Sequence, residues 1–237
     1  MTEILNPDRY GRFTSSDIYK LFVGGSGATR ETYILEKAIE KIQNYPVGFV
    51  GTKHTEHGNF YEWEAIQKFI DITGFEVEDR AQQFIPSGMS SGSTPDGFVR
   101  NKFDVFGDTK PIVIATLDAK CPTTKFWYQK RMMLKGSKPE FQNVPKEYYW
   151  QGQHQMMVAS EHLGYDVNHH YLFRYLTNPN ADEWGNSQEY DMPDDLRYFW
   201  AKLERNEADQ LRLKEAIEAA TIERDELVNE LSKPIKP

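Results

Sequence analysis

A single cysteine, Cys121, is all the thiol chemistry in the 237 residues. One thiol excludes an internal disulfide and any zinc site built on paired cysteines, and it suits a reducing compartment. Long apolar runs are missing too. No stretch approaches the roughly 18 residues that a membrane helix needs. The opening residues carry Glu3 and Asp8 and no apolar block, so no signal peptide is expected. These absences point to the cytoplasm and away from a membrane partner. Positive charge is also in short supply. Lys and Arg number 28 against 36 Asp and Glu, for a net charge of −8 and a pI of about 5.3. Taken alone, that balance disfavours nucleic acid as a partner, since binders are usually basic. Gly24-Gly-Ser-Gly27 is not a phosphate loop, because no Gly-Lys-Ser/Thr follows it.

What is present is enough for a core: 39% hydrophobic and 14% aromatic residues. The basic residues are also gathered. Lys120, Lys125, Lys130, Arg131, Lys135, Lys138 and Lys146 face only Glu140 over that span, a pattern that makes either a solvated loop or a basic surface on an acidic protein. Thr14, Ser15 and Ser16 precede an expected helix from Asp17 with hydroxyl N-caps. Further helices are expected over about Thr29–Gln43, His57–Ile72 and Lys146–Ser160. Phe75 to Glu78 alternates as a half-buried strand does. Phe98-Val99, Pro111–Ala119 and Tyr171–Tyr175 read as strands, the second apolar and β-branched enough to be central and covered on both faces. Tyr171–Tyr175 is taken as the last strand. The order implies an α/β sandwich with a small mixed sheet flanked by helices.

Beyond about Asp191 the composition shifts to Ala, Leu, Glu, Arg and Lys. Leu213, Ile217, Ala220, Leu227 and Leu231 keep a 4–3 spacing that Arg224 interrupts. The expected division is a domain over residues 1–190 and a helical extension over 191–237, packed on that domain or on a neighbouring subunit.

The chemistry gathers in two short stretches. Asp96 sits in the turn Ser93-Thr-Pro-Asp96-Gly97, where an Asp is an ordinary turn residue. Asp118-Ala-Lys120 ends the apolar strand, and its acid and base, two residues apart, share a face. Alone it could be a surface ion pair. Together, two carboxylates on neighbouring strands can hold a hard divalent cation such as Mg²⁺. A nearby Lys can orient water and neutralise a phosphate.

This combination resembles the PD-(D/E)xK nuclease superfamily, and within it the phage lambda exonuclease-like, YqaJ-type viral recombinase nucleases. The resemblance rests on five stretches in order: Arg9 to Ser16, Gly58 to Glu62, Ser93 to Gly97, Asp118-Ala-Lys120-Cys-Pro122, and Gln151-Gly-Gln-His-Gln-Met156. It implies a restriction-endonuclease-like core and a catalytic set of Glu62, Asp96, Asp118, Lys120 and Gln151. The metal would sit on Asp96, Asp118 and the Ala119 carbonyl, with Glu62 helping through water. Mg²⁺ is the implied cofactor, with Mn²⁺ able to substitute. Arg9, Thr14 and Ser16 would bind a 5′ phosphate, and Lys125, Lys130 and Arg131 are candidate DNA contacts. The implied activity is 5′-to-3′ digestion of linear duplex DNA, leaving 3′ tails for a single-strand annealing recombinase partner. A trimeric ring and a phage or prophage protein working in a bacterial cytoplasm also follow from the resemblance. Asp118 stands where the nearest relatives more often carry Glu.

Three rivals remain open on sequence. One is an endonuclease or RecB-like module on the same core. Another is a non-catalytic DNA-binding or assembly protein, which would not require the acidic set. The third, a zinc site at His154, His169 and His170, lacks a ligand spacing. Trp63, Trp127, Tyr128, Tyr148, Tyr149 and Trp150 could stack on bases, though core packing explains most of them more simply.

Overall fold

The computed structural model describes residues 7–22, 28–47, 53–78, 82–100, 112–121, 145–176 and 197–233. The expectations for Gly24–Gly27, for Lys125, Lys130 and Arg131, and for Trp127 and Tyr128 fall outside those residues.

Five strands form one mixed sheet in the order β2-β4-β5-β6-β7: β2 Glu76–Glu78, β4 Gly97–Arg100, β5 Val113–Lys120, β6 His169–Tyr175 and β7 Tyr198–Glu204. β5 is central, as its apolar run implied. It pairs antiparallel with β4 and parallel with β6. A parallel pair needs a crossover, and α3, Lys146–Leu163, supplies it. The sheet's two faces are covered differently. Ala115, Leu117 and Ala119 of β5, with Tyr171 and Phe173 of β6, pack on Ala65, Ile66 and Phe69 of α2, Lys53–Thr73. The alternate residues face α3, where Met156, Val158 and Ala159 meet Leu172 and Leu203. At its closest approach α3 carries Gly152. A Cβ there would lie 2.7 Å from the His170 ring and 2.8 Å from a Leu203 methyl, so a larger residue would have to displace those side chains.

Two local expectations need correction. The helix expected from Asp17 is only a 3-10 segment, Ile18–Phe22. Tyr171–Tyr175 is not the last strand, because β7 follows and pairs with β6 along its whole length. Ala201 and Leu203 point inward and Lys202 and Glu204 outward, an alternation masked by helix-favouring residue types. A second, two-stranded parallel sheet joins β1, Phe13–Thr14, to β3, Ser91–Gly92. It brings the N-terminal segment beside the Asp96 turn.

The closing helix α4, Glu207–Leu231, starts on an N-cap, with the Asn206 side chain accepting from the Asp209 amide. Leu213, Ile217 and Ala220 pack with Tyr33 and Ile34 of α1, Ala28–Gln43. Arg30–Glu223 and Lys41–Asp225 ion pairs lace the two helices. Arg224, which interrupts the apolar spacing, is buried, and its Nη1 donates to the Gly11 carbonyl at 2.6 Å. Gly11 has φ +72° and donates its amide to Glu40 of α1, which Lys37 neutralises. A Cβ at Gly11 would lie 2.7 Å from that of Lys41, so glycine is required by both conformation and space.

Candidate active site

Where β5 runs out, the sheet opens into a cavity of about 510 Å³ lined by Arg9, Thr14, Ser16, Glu62, Asp96, Asp118, Ala119, Lys120 and Gln151, among others. The five residues expected to be catalytic therefore share one space with the three expected to bind phosphate. They arrive on several elements. Asp118 and Lys120 occupy alternate positions of β5 and share the α3 face. Asp96 precedes β4, and its backbone and side chain extend the ladder past the strand end. Its amide donates to the Leu117 carbonyl at 3.0 Å, and its Oδ2 accepts from the Ala119 amide at 2.6 Å. Glu62 comes from α2 and Gln151 from α3.

Asp118 is the hub. It is 1% exposed, and its Oδ1 accepts from Lys120 Nζ at 2.8 Å and from Gln151 Nε2 at 3.1 Å. Its Oδ2 is buried with no hydrogen-bond partner. A sealed carboxylate oxygen without a donor is costly. Burial, with the Asp118 charge, pushes Glu62 above the usual carboxylate range despite Lys120. Burial raises Asp96 well above it, against the pull of Lys120 and reinforced by Asp118 and Glu62. Burial disfavours the Lys120 ammonium, yet Asp118 and Asp96 outweigh it and raise its pKa, so Lys120 stays charged. Crowded carboxylates that resist ionisation, together with an oxygen that lacks a donor, describe a place for a cation. The donors are all oxygen, which suits a hard ion. Among the described residues no three His, Cys, Asp or Glu side chains are gathered tightly enough to hold one unaided. An ion there would rely on the Asp pair, a carbonyl and waters.

The raised values carry a stability consequence with a definite sign. Without metal, Glu62 and Asp96 favour the folded state below their ordinary range near pH 4, and that contribution is lost as pH rises through their elevated folded values. Asp96→Asn should therefore melt above wild type in chelator at pH 8, with the gap closing toward pH 4. An equal gap at both pH values would reject the assignment of charge crowding to Asp96.

The N-terminal segment departs from expectation in one respect. With only five residues of 3-10 helix after Ser16, no helix dipole supports anion binding there. The Thr14 amide is taken by the Tyr33 hydroxyl at 3.0 Å, and Arg12 is spent on the Asp8 and Met89 carbonyls. Exposed Arg9 and the hydroxyls of Thr14 and Ser16, 3.5 Å apart, remain to face the cavity.

Within Gln151-Gly-Gln153 the two amides part company, because positions two apart on a helix lie about 200° apart. Gln151 faces Asp118, while Gln153 bonds to the Glu204 carbonyl, the Asn206 amide and Gln210. Of the histidines weighed as zinc ligands, His154 is structural. His154, fully buried and pushed down to about 3 by burial, joins Ser15 Oγ at 2.7 Å to Ser91 Oγ at 2.9 Å. It thereby ties both loops to α3. Burial pushes the Cys121 thiol up to about 12, so without a metal it stays protonated and is no nucleophile at neutral pH. Trp150 stacks on Phe22, and Tyr149 bonds to Asp209. Tyr148, weighed in the sequence only as an aromatic that could stack on bases, lines the cavity too, as do Gln155 and Arg174, which the sequence did not single out; of these, Tyr148 and Gln155 sit on α3 and Arg174 on β6. The first two follow from Gln151 by helical spacing, being three residues before it and four after.

Residues 6–162 match the model of the YqaJ-like viral recombinase domain. The chain belongs to that family. No curated protein matches it significantly. Among solved structures it is similar to LHK-Exo in complex with dAMP, with a TM-score of 0.69 and 21% identity over 97% of this chain and 96% of that one. A second structure of LHK-Exo, an alkaline exonuclease from Laribacter hongkongensis, gives 0.65 at 20% identity, covering 94% and 93%. A phage-related exonuclease from Haemophilus somnus 129PT gives 0.64 at 16%, covering 93% and 96%. The likeness extends past the YqaJ-like region through β7 and α4. Family and acidic site together make this YqaJ-like protein a nuclease. Among the described residues no helix is long and apolar enough to cross a membrane.

Proposed function

We propose that this YqaJ-like nuclease is a 5′-to-3′ exonuclease on linear double-stranded DNA that uses Mg²⁺, or Mn²⁺ in its place. Its product would be 3′ single-stranded tails for a strand-annealing recombinase in phage-type recombination, in the cytoplasm of a bacterial host. The observation that carries the reading is the Asp118 carboxylate, with one oxygen held by Lys120 and Gln151 and the other without a donor, beside two carboxylates that resist ionisation. That the structural relatives include exonucleases supports the mode of attack.

Asp96, Asp118 and the Ala119 carbonyl would hold the metal, with Glu62 acting through water. Bound there, it supplies Lewis-acid activation of water and neutralises phosphate charge. The remaining work falls to the chain. Lys120 orients or activates the attacking water and stabilises the charge that develops on the phosphate. Gln151 fixes the Asp118 carboxylate and presents its amide to the same phosphate. Arg9, Thr14 and Ser16 hold the 5′ end.

The decisive assay compares linear and closed circular duplexes, each linear strand labelled at one end, with Mg²⁺, Mn²⁺, Ca²⁺ or chelator. Linear DNA should lose nucleotides from 5′ ends with Mg²⁺ or Mn²⁺. Ca²⁺ should permit binding without cleavage, because its longer bonds and looser geometry misplace the water. Cleavage of circles would favour the endonuclease reading, and full activity in chelator would refute the metal.

The proposal includes a trimeric ring. A ring would explain how a chain of net charge −8 stays on DNA, by enclosing it instead of relying on electrostatic affinity. Light scattering at micromolar concentration should give about three times the 27.6 kDa chain mass. A monomer, even with DNA present, would overturn it.

A further inference from the structure

We infer that Arg174 is a second phosphate-binding cation of this site, gripping the strand being cut on the side of Asp118 away from the Arg9–Ser16 segment. The inference rests on the nuclease reading above but uses different observations. β5 and β6 run parallel with Lys120 opposite Arg174, so the two side chains stand side by side on the α3 face, about 4.8 Å apart at the backbone. Arg174 is 3% exposed yet lines the cavity. Among the described residues its guanidinium makes no hydrogen bond or ion pair. Its Nη2 is sealed from solvent without a partner, and its guanidinium carbon lies 4.6 Å from the centre of the Tyr148 ring. The acidic cluster does not supply the missing partner: among the described residues no ion pair joins it to Arg174, and Asp118 pairs with Lys120. A buried guanidinium with an open donor fork is poised for an anion that enters from outside.

Its place along the cavity says which anion. Tyr148, Gln151 and Gln155 form one face of α3, spanning about 10 Å. Ser15 is bonded to His154, beside Gln155, so the Arg9–Ser16 segment lies at that end. Gln151 and Asp118 are in the middle, and Tyr148 with Arg174 is at the other end. A strand whose 5′ phosphate lies at the first end and whose cut bond lies at Asp118 brings its continuing backbone to Arg174. The planar fork fits a phosphodiester in two-point contact.

Arg174→Met and Arg174→Lys would be compared with wild type on 5′-phosphorylated and 5′-hydroxyl duplexes, measuring kcat and KM. Binding of uncut duplex in Ca²⁺ would be measured across a salt series. Arg174→Met should raise KM about 10-fold or more on both ends alike, and it should keep the wild-type preference between ends. It should reduce the slope of log affinity against log salt by about 1. Arg174→Lys should restore the slope but not the full affinity, since charge returns without the fork. An unchanged KM and slope in Arg174→Met would make Arg174 a packing residue, and a loss confined to phosphorylated ends would move it to the 5′ pocket. Either result overturns the inference. If Arg174→Met fails to fold, wild-type KM and affinity in Arg174→Lys would overturn it as well. Wild type that binds but never cuts would refute the nuclease reading instead, and the Ca²⁺ arm would still read the contact.

Discussion

Asp118→Ala and Lys120→Ala should each slow cleavage of linear duplex by at least roughly 10²–10³-fold, the range seen when one preorganised charge-stabilising group is lost, while the protein stays folded. For Asp118 the loss is threefold. The oxygen without a donor disappears, Gln151 loses the acceptor that orients it, and Lys120 loses the carboxylate that fixes its ammonium. For Lys120 the charge beside the phosphate goes. Neither change touches the α2 face of β5, where Ala115, Leu117 and Ala119 make the core, so circular dichroism should match wild type and melting should stay cooperative, with metal-free Lys120→Ala melting lower because the buried Asp118 loses its cation. Asp118→Ala also relieves the like charge on Asp96 and Glu62 while leaving Asp96 as a counter-charge for Lys120, so the metal-free variant should melt no lower. Near-normal turnover by either purified variant would sink the assignment.

Arg9→Ala should slow cutting of 5′-phosphorylated ends about 10- to 150-fold, the rate equivalent of the 1.5–3 kcal/mol of a hydrogen bond to a charged group, and leave 5′-hydroxyl ends nearly unchanged. A terminal phosphate carries more charge than an internal diester, so a guanidinium can recognise the end itself. Without a helix terminus behind Ser16, nothing else in that segment supplies a full positive charge. Arg12, the other cation there, is committed to two carbonyls. Four rates, two proteins by two ends, isolate the coupling. Equal slowing of both ends would make Arg9 a general backbone contact. No slowing of either would remove the support that this segment gives to 5′ polarity.

The sheet was legible in the sequence where one periodicity dominated. The continuous run before Asp118 read as a covered central strand, and on a strand an acid and a base two apart share a face. β7 was hidden because Ala201, Lys202, Leu203 and Glu204 suit a helix as well as a strand, and only pairing with β6 decides between them. Glu62 and Gln151 were legible through family resemblance alone, since nothing local links a helix residue to a strand distant in sequence. Arg174 was not legible at all. A cation near a strand end reads as solvated, and its place beside Lys120 follows from the β5–β6 register, which no spacing encodes. His154 was weighed as a metal ligand because histidines attract that reading, whereas its burial between two serines could be seen only in three dimensions.

Gly11 is held from two directions, its amide by Glu40 and its carbonyl by Arg224, and these contacts join parts of the chain made at very different times. Synthesis proceeds from the N-terminus. Glu40 is available soon after Gly11 emerges, but Arg224 comes 213 residues later. On the ribosome, the segment that presents Arg9 therefore waits for α4 after β5 and α3 have already delivered Asp118, Lys120 and Gln151. On the proposed roles, a growing chain acquires its cutting residues before it acquires a fixed means of holding a DNA end, and α4 completes the order.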